Sequence, residues 1–306
     1  MSNQIKPKLR PLDFQQVYYQ GQQMWFLRDP LQLSERQIFF PQTMTPLLPL
    51  LDGERTKREI HSAFCSIVGV SLEPAVTSDA INQLSEAFLL ENAETENAKA
   101  GRLEAYHAAP SRIPLLAGHG YPADPGALME YLEHFEAGNG VSTWDGRGIV
   151  SPHIDFDRGG DVYAKVWGAA EAAVLDADLV IIFGTDHYGG LGTITLTEQA
   201  YATPYGILPR DNALVASLAE SWGAGPAFAD ELNHIHEHSV ELSAVWLHHL
   251  FAKAGKDPCP VVPILVGSFQ HYLSNGNRPQ ADERLTDFLE TLRRETAGRR
   301  VVVVAS

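Results

Sequence analysis

The sequence predicts an α/β protein: a mostly parallel layered sheet with helices on both faces over residues 104–306, preceded by a small α+β domain over residues 1–103. Three observations carry this. From residue 148 onward, apolar runs of strand length alternate with amphipathic helical stretches, the pattern of a largely parallel sheet. The 306 residues suffice for about two domains. Charge and histidine also divide near residue 103: the first part has a net charge of −2 and the rest −13, and His61 precedes the division while the other eleven histidines follow it.

In the first part, Gln22 to Arg28 and Gln37 to Phe40 read as strands, and Thr45 to Leu51 as a compact apolar helical turn. Thr56-Lys-Arg-Glu59 is a capping box, in which the Thr oxygen accepts the N3 amide and Glu59 reaches back. It opens a helix with Ile60, Phe64 and Ile67 on one face. A second helix begins at Ser78 or Asp79 and carries Ile81, Leu84, Phe88 and Leu89. Glu91 to Gly101 has no aromatic or β-branched apolar residue; it reads as a frayed helix end or a linker.

In the second part, Gly148 to Pro152 is a short apolar strand and Val162 to Val174 an Ala-rich helix. Ala177 to Phe183 is a continuous apolar run, which suits a strand covered on both faces. Helices follow at Ala213 to Trp222, Ser239 to Ala254 and Ala281 to Glu295, with strands at Val261 to Val266 and Arg300 to Val304.

Composition narrows the function classes. A net charge of −15 disfavours generic binding to nucleic acid or anionic lipid. No apolar run approaches the ~20 residues that span a bilayer. Met1 to Lys8 lacks the apolar core of a signal peptide. Cys65 and Cys259 are too few for a disulfide framework. The expectation is a cytoplasmic protein.

Three segments concentrate metal-type side chains, each after an apolar strand or at a helix start: Ser151 to Gly160, Phe183 to Gly190 and Asn233 to Glu241. In an open α/β sheet, ligands bind outside the carboxyl ends of the strands. His153 and His187 follow predicted strands, so the two imidazoles converge if those strands are neighbours. Imidazole suits Zn, Fe and Cu. His236 reads as a bystander between His234 and His238, and His248 and His249 as a solvated helix face.

Leu51-Asp-Gly-Glu-Arg-Thr-Lys-Arg-Glu-Ile60, with Gln83 to Glu91 after it, resembles the PqqD-type winged-helix module. That resemblance implies docking of a peptide or protein partner at residues 1–103. A larger set of motifs resembles the Memo family, whose bacterial members are called AmmeMemoRadiSam system protein B. They are Arg112-Ile-Pro-Leu-Leu-Ala-Gly-His-Gly-Tyr-Pro-Ala-Asp124, Pro152-His153, Phe183-Gly-Thr-Asp-His187-Tyr-Gly-Gly, Ala202-Thr-Pro-Tyr-Gly206, Glu237-His-Ser-Val-Glu241 and Val262-Pro-Ile-Leu-Val-Gly267, in family order.

This second resemblance implies a fold similar to class III extradiol dioxygenases of the LigB type. It also implies a non-haem divalent metal, with His153 and His187 as ligands, and radical-SAM and AMMECR-type proteins as partners. The family's third ligand lies in a segment after a terminal apolar strand. This sequence stops at Ser306, so the expectation is a truncated chain. His238 and Glu237 are the in-chain candidates to complete the site, with His238 as acid/base. Asp155, Asp157 and Asp186 stand where the family has small or aromatic residues. Added carboxylates make a harder, more anionic pocket and favour Fe(II), ahead of Zn or Cu. Two readings follow from this: a metal-dependent oxygenase-like oxidoreductase, and a non-catalytic adaptor.

Overall fold

A computed structural model describes residues 6–136, 144, 146–276 and 278–306. The first five residues of the segment read for a signal peptide lie outside these. The chain divides into two compact units, Met1–Ala105 and Tyr106–Ser306.

The first unit begins with a three-stranded antiparallel sheet of β1 (Asp13–Tyr19), β2 (Gln22–Arg28) and β3 (Ile38–Pro41). A 3-10 helix over Gln42–Leu50 follows, then α1 (Lys57–Val68) and α2 (Pro74–Glu86). The capping box at Thr56 is formed in both directions. Ile60 and Phe64 enter the core as their spacing predicts, but Ile67 is exposed. It sits in the last turn of α1, which stops at Gly69 in the left-handed conformation. Helix α2 starts earlier than Ser78, because Pro74 occupies its first turn, where a missing N–H costs nothing. It ends before Phe88, whose φ of 59° breaks the helical path. Most of the stretch read as a frayed end or linker, from Ala93 to Gly101, lies in a continuous helix, α3 (Ala93–Ala108).

The second unit runs α4 (Pro125–Glu136), β4 (Gly148–Val150), α5 (Phe156–Leu175), β5 (Leu179–Thr185), β6 (Ile194–Thr195), the short pair β7 (Ala202–Thr203) and β8 (Gly206–Ile207), then α6 (Asn212–Trp222) and α7 (Ala224–Phe228). It continues with α8 (Asn233–His236), α9 (Ser239–Lys253), β9 (Val261–Val266), α10 (Gln270–Asn275), a 3-10 turn, α11 (Glu283–Glu295) and β10 (Val301–Ala305). The main sheet has the order β4-β10-β5-β9-β6; β4, β10, β5 and β9 are parallel and β6 is antiparallel to β9.

The alternation of side chains along each strand explains the unbroken apolar runs. Val180 and Ile182 of β5, Val261 and Leu265 of β9, and Val302 and Val304 of β10 pack with α4, α5 and α9. Leu179 and Ile181 of β5, and Val262 and Ile264 of β9, pack with α6 and α11 on the opposite face. A run of alternating polarity would have left one face to water. Among the described residues no helix is long and apolar enough to cross a membrane.

Helix α5 starts at Phe156, six residues before the predicted start, because Asp155 caps it by accepting from the Arg158 amide at 3.1 Å. His248 and His249 are buried, which corrects their reading as a solvated face. Helix α9 is enclosed on nearly every side, so even its polar residues face protein: His248 Nδ1 meets the Thr203 hydroxyl at 2.7 Å, and His249 lies between Tyr205 and Glu136.

Candidate metal centre

The carboxyl ends of β4 and β5 deliver the first two imidazoles. Beyond β4, the Ser151 amide bonds to the Ala305 carbonyl at 2.8 Å, and Trp167 Nε1 donates to Ser151 Oγ at 3.0 Å. This ties down the segment that leads to His153. Beyond β5, the Asp186 amide donates to the Val266 carbonyl at 2.9 Å, and His187 follows. The two strands are not neighbours, since β10 lies between them. Their imidazoles converge nonetheless, with ring centres 5.3 Å apart.

The turn between α8 and α9 supplies Glu237 and His238. It lies close to β5 because residue 184 is glycine: a Cβ there would come within 2.5 Å of Val240 Cγ2 and 2.6 Å of Ser239 Oγ. The His238 ring centre is 4.8 Å from that of His187 and 5.8 Å from that of His153. All four residues singled out from the sequence are thus brought together.

Glu237 is fully buried and accepts hydrogen bonds from four donors. The amides of His187, His238 and Ser239 donate to it at 3.0, 2.8 and 3.0 Å. His187 Nδ1 lies 3.0 Å from its oxygens and His238 Nδ1 lies 3.2 Å from Oε1. Burial alone would raise the Glu237 carboxyl; the donated amides and the His187 imidazole outweigh it and hold the group below the ordinary carboxylate range. An ionised carboxylate can only accept, so His187 Nδ1 carries the proton and its Nε2 keeps a lone pair. Burial, reinforced by the neighbouring imidazoles, pushes His153 down, and burial does the same to His238. Neutral imidazoles at pH 7 are the form that binds a metal.

His153 and His238 line a cavity of about 570 Å³ together with Leu116, Pro152, Ile154 and Leu242. Among the described residues, His187, Glu237 and His238 offer ligand atoms within 4.8 Å of one another.

Each of the added carboxylates has a protein donor. Asp155 pairs with Arg158 and caps α5. Asp157 accepts from the Tyr131 hydroxyl at 2.6 Å. Asp186 accepts from Asn233 Nδ2 and from the Tyr188 amide. Asp155, held by Arg158, lines the cavity together with the His153 and His238 imidazoles.

Two buried residues shape this site without having been singled out. Arg112 and Glu241 form an ion pair, each side chain 1 % exposed. Both stand in the sequence motifs quoted above. Their partners lie more than a hundred residues away along the chain, and no periodicity reports such a pairing.

Comparison with known proteins is consistent with this picture. The family model described as Memo-like protein matches residues 112–306. A MEMO1 family protein of Aquifex aeolicus is 28% identical over 262 residues, covering 86% of this chain and 66% of the relative. One from Methanopyrus kandleri is 30% identical over 207 residues, 64% of this chain and 67% of the relative. One from Methanosarcina mazei is 27% identical over 195 residues, 64% of this chain and 65% of the relative. The chain spans about two thirds of the length of these relatives.

Proposed function

The chain belongs to the Memo family, and on that premise we propose that it binds a divalent metal ion through His153 and His187, with His238 as the proton-handling group beside the ion. The observation that carries this reading is three imidazoles with ring centres 4.8 to 5.8 Å apart, two of them sharing one buried carboxylate. Two imidazoles that share an ion at a metal–nitrogen distance of ~2.0–2.1 Å place their ring centres roughly 5 Å apart. The 5.3 Å between His153 and His187 fits. Imidazole donors suit iron, zinc and copper.

Glu237 has the orienting role. Its lone pairs are met by four donors, so it is poorly placed to take a proton itself. It fixes His187 with Nε2 as the metal-facing nitrogen, as carboxylates behind ligating histidines do. Its charge, 3.2 Å from His238 Nδ1, stabilises the imidazolium that forms when His238 accepts a proton from a molecule in the cavity. Leu116, Pro152, Ile154 and Leu242 form the apolar part of the cavity wall and limit water around that nitrogen. A bound iron ion would supply redox chemistry and Lewis acidity at this position.

The test is metal content after reconstitution and desalting, read by inductively coupled plasma mass spectrometry. The wild-type chain is expected to retain metal above background but less than one ion per chain, because two imidazole ligands hold an ion weakly. The His153→Ala/His187→Ala double variant should fall to background while keeping its circular dichroism spectrum. Equal retention by both proteins would overturn the assignment.

A further inference from the structure

The buried pair of Arg112 and Glu241 sits behind the imidazole cluster, and its hydrogen bonds run in two directions. Arg112 Nε donates to the His234 carbonyl at 2.9 Å, and NH2 donates to the carbonyls of Ile235 and Glu237 at 3.1 and 3.0 Å. NH1 meets Glu241. One guanidinium therefore gathers three carbonyls of the turn that carries Glu237 and His238. Glu241 in turn accepts from the amides of Leu115 and Leu116 at 3.0 and 2.8 Å and from the Tyr121 hydroxyl at 2.5 Å. Those residues belong to the 112–121 loop, whose Leu116 and Gly120 line the cavity at His153 and His238.

We infer that Arg112 is a positioning residue: with Glu241 it joins the cavity-wall loop to the turn bearing Glu237 and His238, and so holds the His187 imidazole in its Nδ1–H form. The metal part of this inference rests on the reading above; the positioning part does not. The planar fork of arginine is what the site requires, because four acceptors must be met by one rigid group. A lysine keeps the positive charge beside Glu241 but presents a single point of donation. It cannot hold the three carbonyls at once. The turn then relaxes, the four donors no longer converge on Glu237, and the Nδ1–H form of His187 is no longer imposed.

Two measurements test this. The first compares wild type with Arg112→Lys, both without metal and both labelled with 15N-histidine. In wild type, long-range nitrogen–proton correlation spectra are expected to show His187 as a single Nδ1–H tautomer. In a folded Arg112→Lys chain it should become a tautomer mixture. Co(II) affinity, titrated with the ion alone, should fall by about 10- to 100-fold, the loss usual for an outer-shell partner. A folded variant with wild-type imidazole signals and wild-type Co(II) affinity overturns the inference. If wild type itself binds no Co(II), the metal reading fails while the tautomer comparison still decides the positioning role.

The second measurement needs no variant and covers the case in which Arg112→Lys does not fold. In wild-type native-state hydrogen exchange, the amides of His187, His238 and Ser239, which bond to Glu237, should share one opening event with those of Leu115 and Leu116, which bond to Glu241. Exchange of the two groups by separate openings, with protection differing by about tenfold or more, would show that no such joint exists.

Discussion

Acidification from pH 7 to pH 5 should weaken this protein steeply, before most carboxylates titrate. Two buried histidines outside the metal cluster are responsible. His234 Nε2 faces the Thr195 carbonyl at 3.1 Å, so it must carry the proton, and Nδ1 accepts from the Tyr201 hydroxyl at 2.7 Å. The ring is neutral with both nitrogens in use, and burial pushes it down to about 3. Burial likewise pushes His248 down to about 4. In the unfolded chain both return to about 6.5. Between those limits the unfolded state binds more protons than the native state, so stability rises with pH. The contribution is complete above about pH 6.5 and is lost as pH falls towards 4 and 3.

Each histidine adds up to about 1.4 kcal/mol per pH unit, so the pair approaches ~2.7 kcal/mol per unit below pH 6. His153 and His238, also shifted down, act in the same direction. Urea unfolding followed by tryptophan fluorescence at pH 7, 6 and 5 measures the slope. His248→Gln should flatten it by about one proton's worth. A stability independent of pH over this range would contradict the burial of neutral imidazole.

The second large effect is expected from Glu237→Ala. Removing this side chain strips the acceptor from three backbone amides and the His187 imidazole at once. A buried donor left unsatisfied costs about 1–3 kcal/mol. Water entering the vacated space recovers part of the loss, so a net destabilisation of about 3 kcal/mol is expected. Zn(II) affinity, measured by competition with a chromophoric chelator, should fall by about 100-fold, because the ligating histidine loses its tautomer and orientation together. Glu237→Gln is the informative companion. It fills the same space but must turn an N–H toward at least one donor, so it should bind the ion more weakly than wild type while losing less stability than the alanine variant.

The sequence reveals the parts of this fold that depend on a single element. The run at residues 179–185 is continuous because two apolar layers cover it, and that pattern is visible without any partner. The capping box at Thr56 is equally local. Element ends are less legible. Asp155 caps α5, yet beside His153 the same carboxylate reads as part of a metal pocket, and the helix start moves accordingly. Ile67 obeys the helical period but falls in a last turn that no core reaches. The two-residue strands β6, β7 and β8 carry too few residues for any period.

The site was legible in its residue types but not in its wiring. His153, His187, Glu237 and His238 come from three segments that each follow a strand or begin a helix. Their convergence depends on β10 entering between β4 and β5, and on the glycine at 184 that lets α9 approach. Neither shows in local pattern. The burial of His248 and His249 likewise reflects the enclosure of α9 by other elements, which no property of the helix itself discloses.

The central claim is a metal ion held by the imidazoles of His153 and His187. X-ray absorption at the metal edge of the reconstituted chain addresses it most directly. The account predicts a shell of nitrogen or oxygen scatterers at ~2.0–2.1 Å with the outer-shell pattern of imidazole rings, and the loss of that pattern in the His153→Ala/His187→Ala variant. A spectrum without imidazole scattering, or one that the double variant leaves unchanged, would contradict it.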